Sequence, residues 1–456
     1  MYRDLMRFSA EQLADALTSR SLRGERAVLL GPDCPIDGAS FDSRDVRPGQ
    51  LFVPIVAERD GHEFIGAALA NGAAAYLTSS RDAFDRFGGT AILVRDTADA
   101  LIDAAGWART QFPASTVVIG ITGSVGKTTT KDLVATALSS GRRVAANTRS
   151  FNNEQGLPVT ILNAPDDTQV LVLEMGMRGF GQISDLCRVA RPQVGVVTRV
   201  GEAHTELVGG IEGVAQAKGE LIEALPPQGM AVLNADDTRV IAMAARSSAP
   251  VIRYGESSDA DVRIDDLRLD DLGRASFTVS YRDGSAGVSL PMPGRHNASN
   301  AAAAIAVGVA LGLPIDELAA ALSAGSLSTG ALSPHRMNLT RTRSGAVLLD
   351  DSYNANPTSM AAALETLAAI EAPRKIAFLG VMAEIDDPVG SHRAIAELAE
   401  SMHIQIVAVG TVLYGVEPVT LEEAVDCALG DGGDVAILVK GSRVAGLDRL
   451  VDSIEV

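Results

Sequence analysis

The chain has 456 residues, with 57 acidic against 39 basic side chains and a net charge of −18. At roughly 150 residues per domain, that length suggests about three domains. The acidic balance argues against a nucleic-acid backbone as partner, which needs a basic stripe, but leaves room for small anionic ligands held by local geometry. Cys34, Cys187 and Cys427 are far apart and lack C-x-x-C spacing, so neither a zinc site nor a disulfide framework is expected. Residues 1–20 carry charges throughout, and the apolar run 301–313 is too short to span a bilayer. A soluble, cytoplasmic protein without membrane insertion is expected.

Residues 1–94 read as a first unit. Residues 10–17 form an amphipathic helix pattern with Ser9 as its cap, and Pro48-Gly49 marks a turn before a strand at 51–56. A helix at 62–70 ends at Asn71-Gly72, and short strands follow at 76–77 and 92–94. Asp42, Ser43 and Arg44 fall at a strand end, where they either hold a ligand or form a solvated turn.

A central unit, 95–331, opens with a helix at 97–111 that carries the only tryptophan, Trp107. Its strands at 117–121, 170–173, 194–197 and 231–233 are apolar almost without alternation, the mark of a parallel sheet buried on both faces. Residues 262–290 alternate instead, with turns at Leu272-Gly273 and Asp283-Gly284, and predict a small antiparallel patch. Helices follow at 297–311 and 315–322, then a Ser/Gly-rich linker at 326–333. The third unit, 332–456, alternates strand and helix from 347 to 451 and lacks a phosphate loop. The fold class is α/β, with three domains.

The chemistry concentrates at Thr122-Gly123-Ser124-Val125-Gly126-Lys127-Thr128-Thr129, which lies between a strand and a helix. Backbone N–H groups of such a loop converge on phosphate oxygens, and the helix dipole adds positive potential. Lys127 would neutralise phosphate charge, and the Thr128 hydroxyl would reach Mg²⁺. The spacing departs from a strict Walker A, since Ile121 stands where the first glycine would be. Glu174 ends a buried strand, where a carboxylate serves either Mg²⁺ or an ion pair. His204 reads as a polar loop residue and Lys218 as a solvated helical lysine, while Asn152 and Asn153 either contact a ligand or form Asx turns.

The order of these motifs, continued by Gly294-Arg295-His296-Asn297-Ala298-Ser299-Asn300, His335-Arg336, Asp350-Asp351-Ser352-Tyr353-Asn354-Ala355-Asn356-Pro357 and Lys440-Gly441-Ser442-Arg443, resembles the Mur ligase family. The resemblance runs from about residue 41 to the C-terminus, and its last motifs resemble the branch that adds D-alanyl-D-alanine. It implies a nucleotide-sugar-binding N-terminal domain, a central ATPase domain and a Rossmann-like C-terminal domain. The implied reaction joins D-alanyl-D-alanine to UDP-N-acetylmuramoyl-tripeptide through an acyl phosphate, as a monomer. Residues 123–129 would hold ATP phosphates, with Asn300 at the adenine, Arg336 at the phosphates and Asp351 at the ribose. Thr128 and Glu174 would serve one Mg²⁺, His204 and a carbamoylated Lys218 a second. Ser43, Arg44, Asn152, Asn153, Asn354 and Asn356 would face the substrates. Val381 and Gln155 depart from the family pattern.

Overall fold

A computed structural model describes residues 7–20, 26–147, 151–201, 207–323, 333–430 and 432–455. His204 and most of the expected linker lie outside the described residues. The chain divides into two compact units. One comprises Met1–Gly120, Gly141–Met177 and Gly181–Val194, the other Ile121–Ser140, Arg178–Phe180 and Gly195–Val456. The division falls inside the strand Val117–Thr122.

The first unit begins with the helix Ala10–Arg20, capped as its sequence suggests. Ser9 Oγ accepts from Gln12 N at 3.1 Å, and Gln12 Oε1 accepts from Ser9 N at 2.9 Å. A five-stranded sheet runs in the order Val28–Leu30, Ala91–Leu93, Ala75–Thr78, Leu51–Phe52, Ala39–Ser40. The strand expected over 51–56 stops at Phe52, because Pro54 can donate nothing to a ladder. In the same unit Val144–Ala146 pairs in parallel with Val170–Glu174. Gln50 Nε2 donates to Asn163 Oδ1 at 2.9 Å, tying that five-stranded sheet to the chain just after the buried helix Gly156–Leu162.

The second unit carries the ladder Val194–Val197, Met230–Asn234, Val251–Gly255, Val262–Leu269, Arg274–Tyr281, Gly284–Pro293. Its last three strands pair antiparallel, as the alternating pattern predicts. The helix His296–Ala310 buries Ala301, Ala302, Ala303 and Ala304, and these small side chains allow close approach to its neighbours. Further along, five strands order as Asn338–Arg341, Val347–Asp350, Val435–Lys440, Arg374–Leu379, Gln405–Ala408, parallel except for the first. Alternate residues of each strand serve opposite cores. Leu349, Ala377 and Leu438 pack on one face, and Leu348, Phe378 and Ile437 on the other. That is the two-faced burial expected of a parallel sheet.

Candidate active site

The phosphate loop is fixed by what surrounds it. Gly123 has φ +153°, and a Cβ there would lie 1.9 Å from Thr198 Oγ1. Gly126, at φ +80°, would meet Asn300 Oδ1 at 2.6 Å. Side chains at either place would fill the cradle. Ser124 N donates to Arg199 O at 2.7 Å, Ser124 Oγ to Gly201 O at 3.0 Å, and Thr198 Oγ1 to Val125 O at 2.6 Å. Lys127 opens the helix Lys127–Ser139, and its ammonium donates to Gly123 O at 2.7 Å. Thr128 is buried in the first turn, beside half-buried Val125 and Thr129. Asn300 is oriented on both sides: its Oδ1 accepts from Thr130 at 3.2 Å and its Nδ2 donates to Asn297 at 2.9 Å.

Glu174 ends its strand 1% exposed, and its Oε1 accepts from Asn152 Nδ2 at 2.7 Å. Asn152 and Glu174 are therefore brought together. Asn153 Oδ1 accepts from Gly156 N at 2.9 Å, the Asx-type use of that side chain.

Lys218 corrects the sequence reading. It is 2% exposed on the helix Ile211–Glu223, not solvated. Burial, and then the positive charge of Lys127, push its ammonium well below lysine's ordinary value. Among the described residues no group of three or more His, Cys, Asp or Glu side chains gathers around a metal position.

At the carboxyl end of the second parallel sheet, Asp351 Oδ2 accepts from Lys440 Nζ at 2.5 Å, and Lys440 also donates to Asn354 O at 2.8 Å. Asp350 accepts from Ser352 Oγ at 2.7 Å and pairs with His335 Nδ1 at 2.8 Å. Burial raises the Asp350 carboxyl against those contacts. His335 and Met337, at φ 60° and 55°, bracket Arg336 in left-handed backbone, a costly conformation that persists only when surroundings impose it. The Arg336 guanidinium lies 4.2 Å over the Tyr353 ring. Asn356 Oδ1 accepts from Ser359 N at 2.9 Å and caps the helix Pro357–Ala369, while Asn354 is exposed.

His296 opens the helix that carries Asn300. Its imidazolium is pushed down to about 4, chiefly by burial; Asp351 opposes the shift, and Lys440 and Arg199 add to it. In the first unit, Ser43 is buried and its carbonyl accepts from Asn71 Nδ2 at 2.8 Å. Arg44 is exposed and forks onto Asp42 at 2.9 and 2.6 Å.

Sequence reading missed Lys440, Tyr353 and His296 as site residues. Lys440 carried a usable signal, being a polar residue at the carboxyl end of a buried parallel strand.

Residues 121–308 match the Mur ligase middle domain, and residues 335–452 match the Mur ligase, glutamate ligase domain. The UDP-N-acetylmuramoyl-tripeptide–D-alanyl-D-alanine ligase of Mycobacterium tuberculosis is 38% identical, covering 91% of each chain. That of Escherichia coli is 32% identical over 95% of this chain and 96% of its own. The crystal structure of MurF from Acinetobacter baumannii superposes with a TM-score of 0.85 at 28% identity, covering 98% of this chain and 99% of that one. The MurF ligase of Thermotoga maritima in complex with ADP gives 0.76 at 28% identity, over 91% and 96%. With matches of this extent across both the phosphate loop and the Asp351–Lys440 sheet end, the chain belongs to the Mur ligase family.

Proposed function

We propose that the protein joins D-alanyl-D-alanine to the tripeptide carboxyl of UDP-N-acetylmuramoyl-tripeptide at the expense of ATP, a step of peptidoglycan precursor synthesis. The observation that carries this is the phosphate loop and the Asp351–Lys440 loop within one compact unit, in a chain whose near-full-length relatives bear that ligase name. A kinase or a nucleotide-driven switch would have no use for the second sheet end.

In the reaction, a tripeptide carboxylate oxygen attacks the γ-phosphorus of ATP, and ADP leaves. The dipeptide amine then attacks the acyl carbon, phosphate leaves and the amine gives up a proton. Lys127 and the N-terminus of its helix neutralise the charge that moves between phosphates. Arg336, held over Tyr353, would supply further positive charge, and Asp351, held by Lys440, is the candidate partner of the ribose. Asn300 lines the loop at Gly126 on the nucleotide side.

Magnesium, where bound, would screen phosphate charge. The Thr128 hydroxyl and the Glu174 carboxylate would be candidate hard oxygen donors to it, and His204 a further candidate. Lys218 is the candidate for a carbamate, because burial disfavours its ammonium, and an amine that adds CO₂ and releases a proton becomes an anion on a long arm, which an ammonium cannot do. Ser43, Arg44, Asn152, Asn153, Asn354 and Asn356 are assigned to the substrate side. We place the domain divisions at 94/95 and 331/332, and the enzyme in the cytoplasm as a monomer. Among the described residues no helix is long and apolar enough to cross a membrane.

The test is phosphate release with UDP-N-acetylmuramoyl-tripeptide and ATP, comparing D-alanyl-D-alanine with D-alanine, L-lysine and no amine. Sustained release with the D,D-dipeptide alone is expected. Equal release with L-lysine would move the protein to another branch.

A further inference from the structure

The incoming dipeptide is charged at both ends. Its amine must reach the acyl carbon, and two extended residues place its carboxylate about 7 Å away. A cation beside the reaction centre, rather than in it, is needed to hold that carboxylate. The path away from the phosphate loop can be followed inside one unit. Gly126 abuts Asn300, Asn300 lies on the helix opened by His296, and the charges of Asp351 and Lys440 both act on His296. The loop that starts at Asp351 then leads to Tyr353.

Among the described residues, Lys440, Arg336 and Arg443 lie at this loop. Lys440 is 2% exposed and committed to Asp351 and to Asn354 O. Arg336 lies close on the Tyr353 ring and is assigned to phosphate above. Arg443 differs from both. Its side chain is 64% exposed, and its guanidinium carbon stands 6.0 Å over the same ring. Arg443 Nη1 donates to Asp448 at 2.8 Å. No other hydrogen bond of its guanidinium is made to a described residue, so Nε and Nη2 present a free edge.

The backbone beneath Arg443 is firmly anchored. Ser442 N donates to Val381 O at 2.9 Å, Ser442 Oγ donates to Ala355 O at 3.1 Å, and the same oxygen accepts from Ala383 N at 2.8 Å. Three loops therefore meet under a single exposed guanidinium. A planar fork on a rigid base, 6.0 Å from an aromatic ring, is suited to a carboxylate.

We infer that Arg443, backed by Tyr353 and oriented by Asp448, binds the C-terminal carboxylate of the incoming dipeptide and so selects a free D,D-dipeptide over a capped one. This rests on the function proposed above.

The experiment compares D-alanyl-D-alanine with its C-terminal carboxamide on the wild type, Arg443→Gln and Arg443→Lys, with KM measured for all three substrates. The wild type should disfavour the carboxamide by roughly tenfold or more in kcat/KM, the scale of a charge-assisted pair. Arg443→Gln should raise the dipeptide KM by a similar factor, become nearly indifferent to the cap, and keep its KM for ATP within about twofold. Arg443→Lys should recover part of the discrimination. If Arg443→Gln discriminates as strongly as the wild type, or if its KM for ATP rises instead, the assignment is wrong. A wild type that releases no phosphate with the free dipeptide would instead overturn the proposed function itself.

Discussion

Lys218 and Lys440 are each 2% exposed, yet their surroundings are opposite. Lys440 ends a strand of the second parallel sheet and meets Asp351 and the Asn354 carbonyl. Lys218 sits within a helix, where burial and the charge of Lys127 both work against its ammonium. Burial sets the desolvation cost; the partner decides whether the charge survives it. One lysine therefore braces the Asp351 carboxylate through a close ion pair. The other has its ammonium disfavoured by burial and by the Lys127 charge.

The largest effect should come from Lys218. Lys218→Met is expected to cut phosphate release by at least about a hundredfold while raising thermal stability in CO₂-free buffer. The sign follows from linkage. The folded-state value lies below lysine's ordinary 10.5, so the unfolded chain binds the extra proton and wild-type stability rises with pH until about 10.5. The melting-temperature gap between variant and wild type should therefore narrow as pH climbs towards that value. A variant less stable than wild type at pH 7 would show that Lys218 is paired and charged after all.

Lys440→Met should behave in the opposite way. It strands the Asp351 carboxylate, and a broken buried pair costs about 3–5 kcal/mol. Urea unfolding reads this directly, and an unchanged midpoint would remove the brace.

His296 gives the next effect. Its folded value of about 4 lies below the ordinary 6.5. Its contribution is complete above pH 6.5 and is lost as pH falls towards 4, by up to about 3 kcal/mol. His296→Gln should flatten that acid limb of the stability profile.

The smallest effect is at the far end of the Asp351 loop. Asn356→Ala removes a helix cap and should cost about 1 kcal/mol. If the main change is instead in a substrate KM, Asn356 binds more than its own helix.

The contrast also shows what a sequence can disclose. The buried parallel strands were legible because nothing in them alternates, and the antiparallel patch because everything does. The helix Arg81–Phe87 was not, since it is only seven residues long and its apolar residues Ala83, Phe84 and Phe87 pack against the core only partly buried. The helix Gly156–Leu162 was missed for the opposite reason: every residue is buried, so no period stands out. The phosphate loop could be read from its glycines, but the segment 198–201 that laces it carries no motif of its own. Lys218 could have been read better. It lies four residues after Val214 and four before Ile222, inside the buried stripe of its helix. A charged residue in an apolar stripe marks burial, and a lone lysine on a helix does not.

In the proposed reaction the tripeptide carboxyl is activated by transfer of the γ-phosphoryl group at the Lys127 loop. Synthesising UDP-N-acetylmuramoyl-tripeptide with ¹⁸O in its terminal carboxylate, running the ligation to completion and weighing the released phosphate tests this directly. Acyl phosphate formation requires one oxygen of that carboxylate to leave with phosphorus, so phosphate carrying a single ¹⁸O is predicted. Phosphate free of the label, with amide still formed, would contradict it.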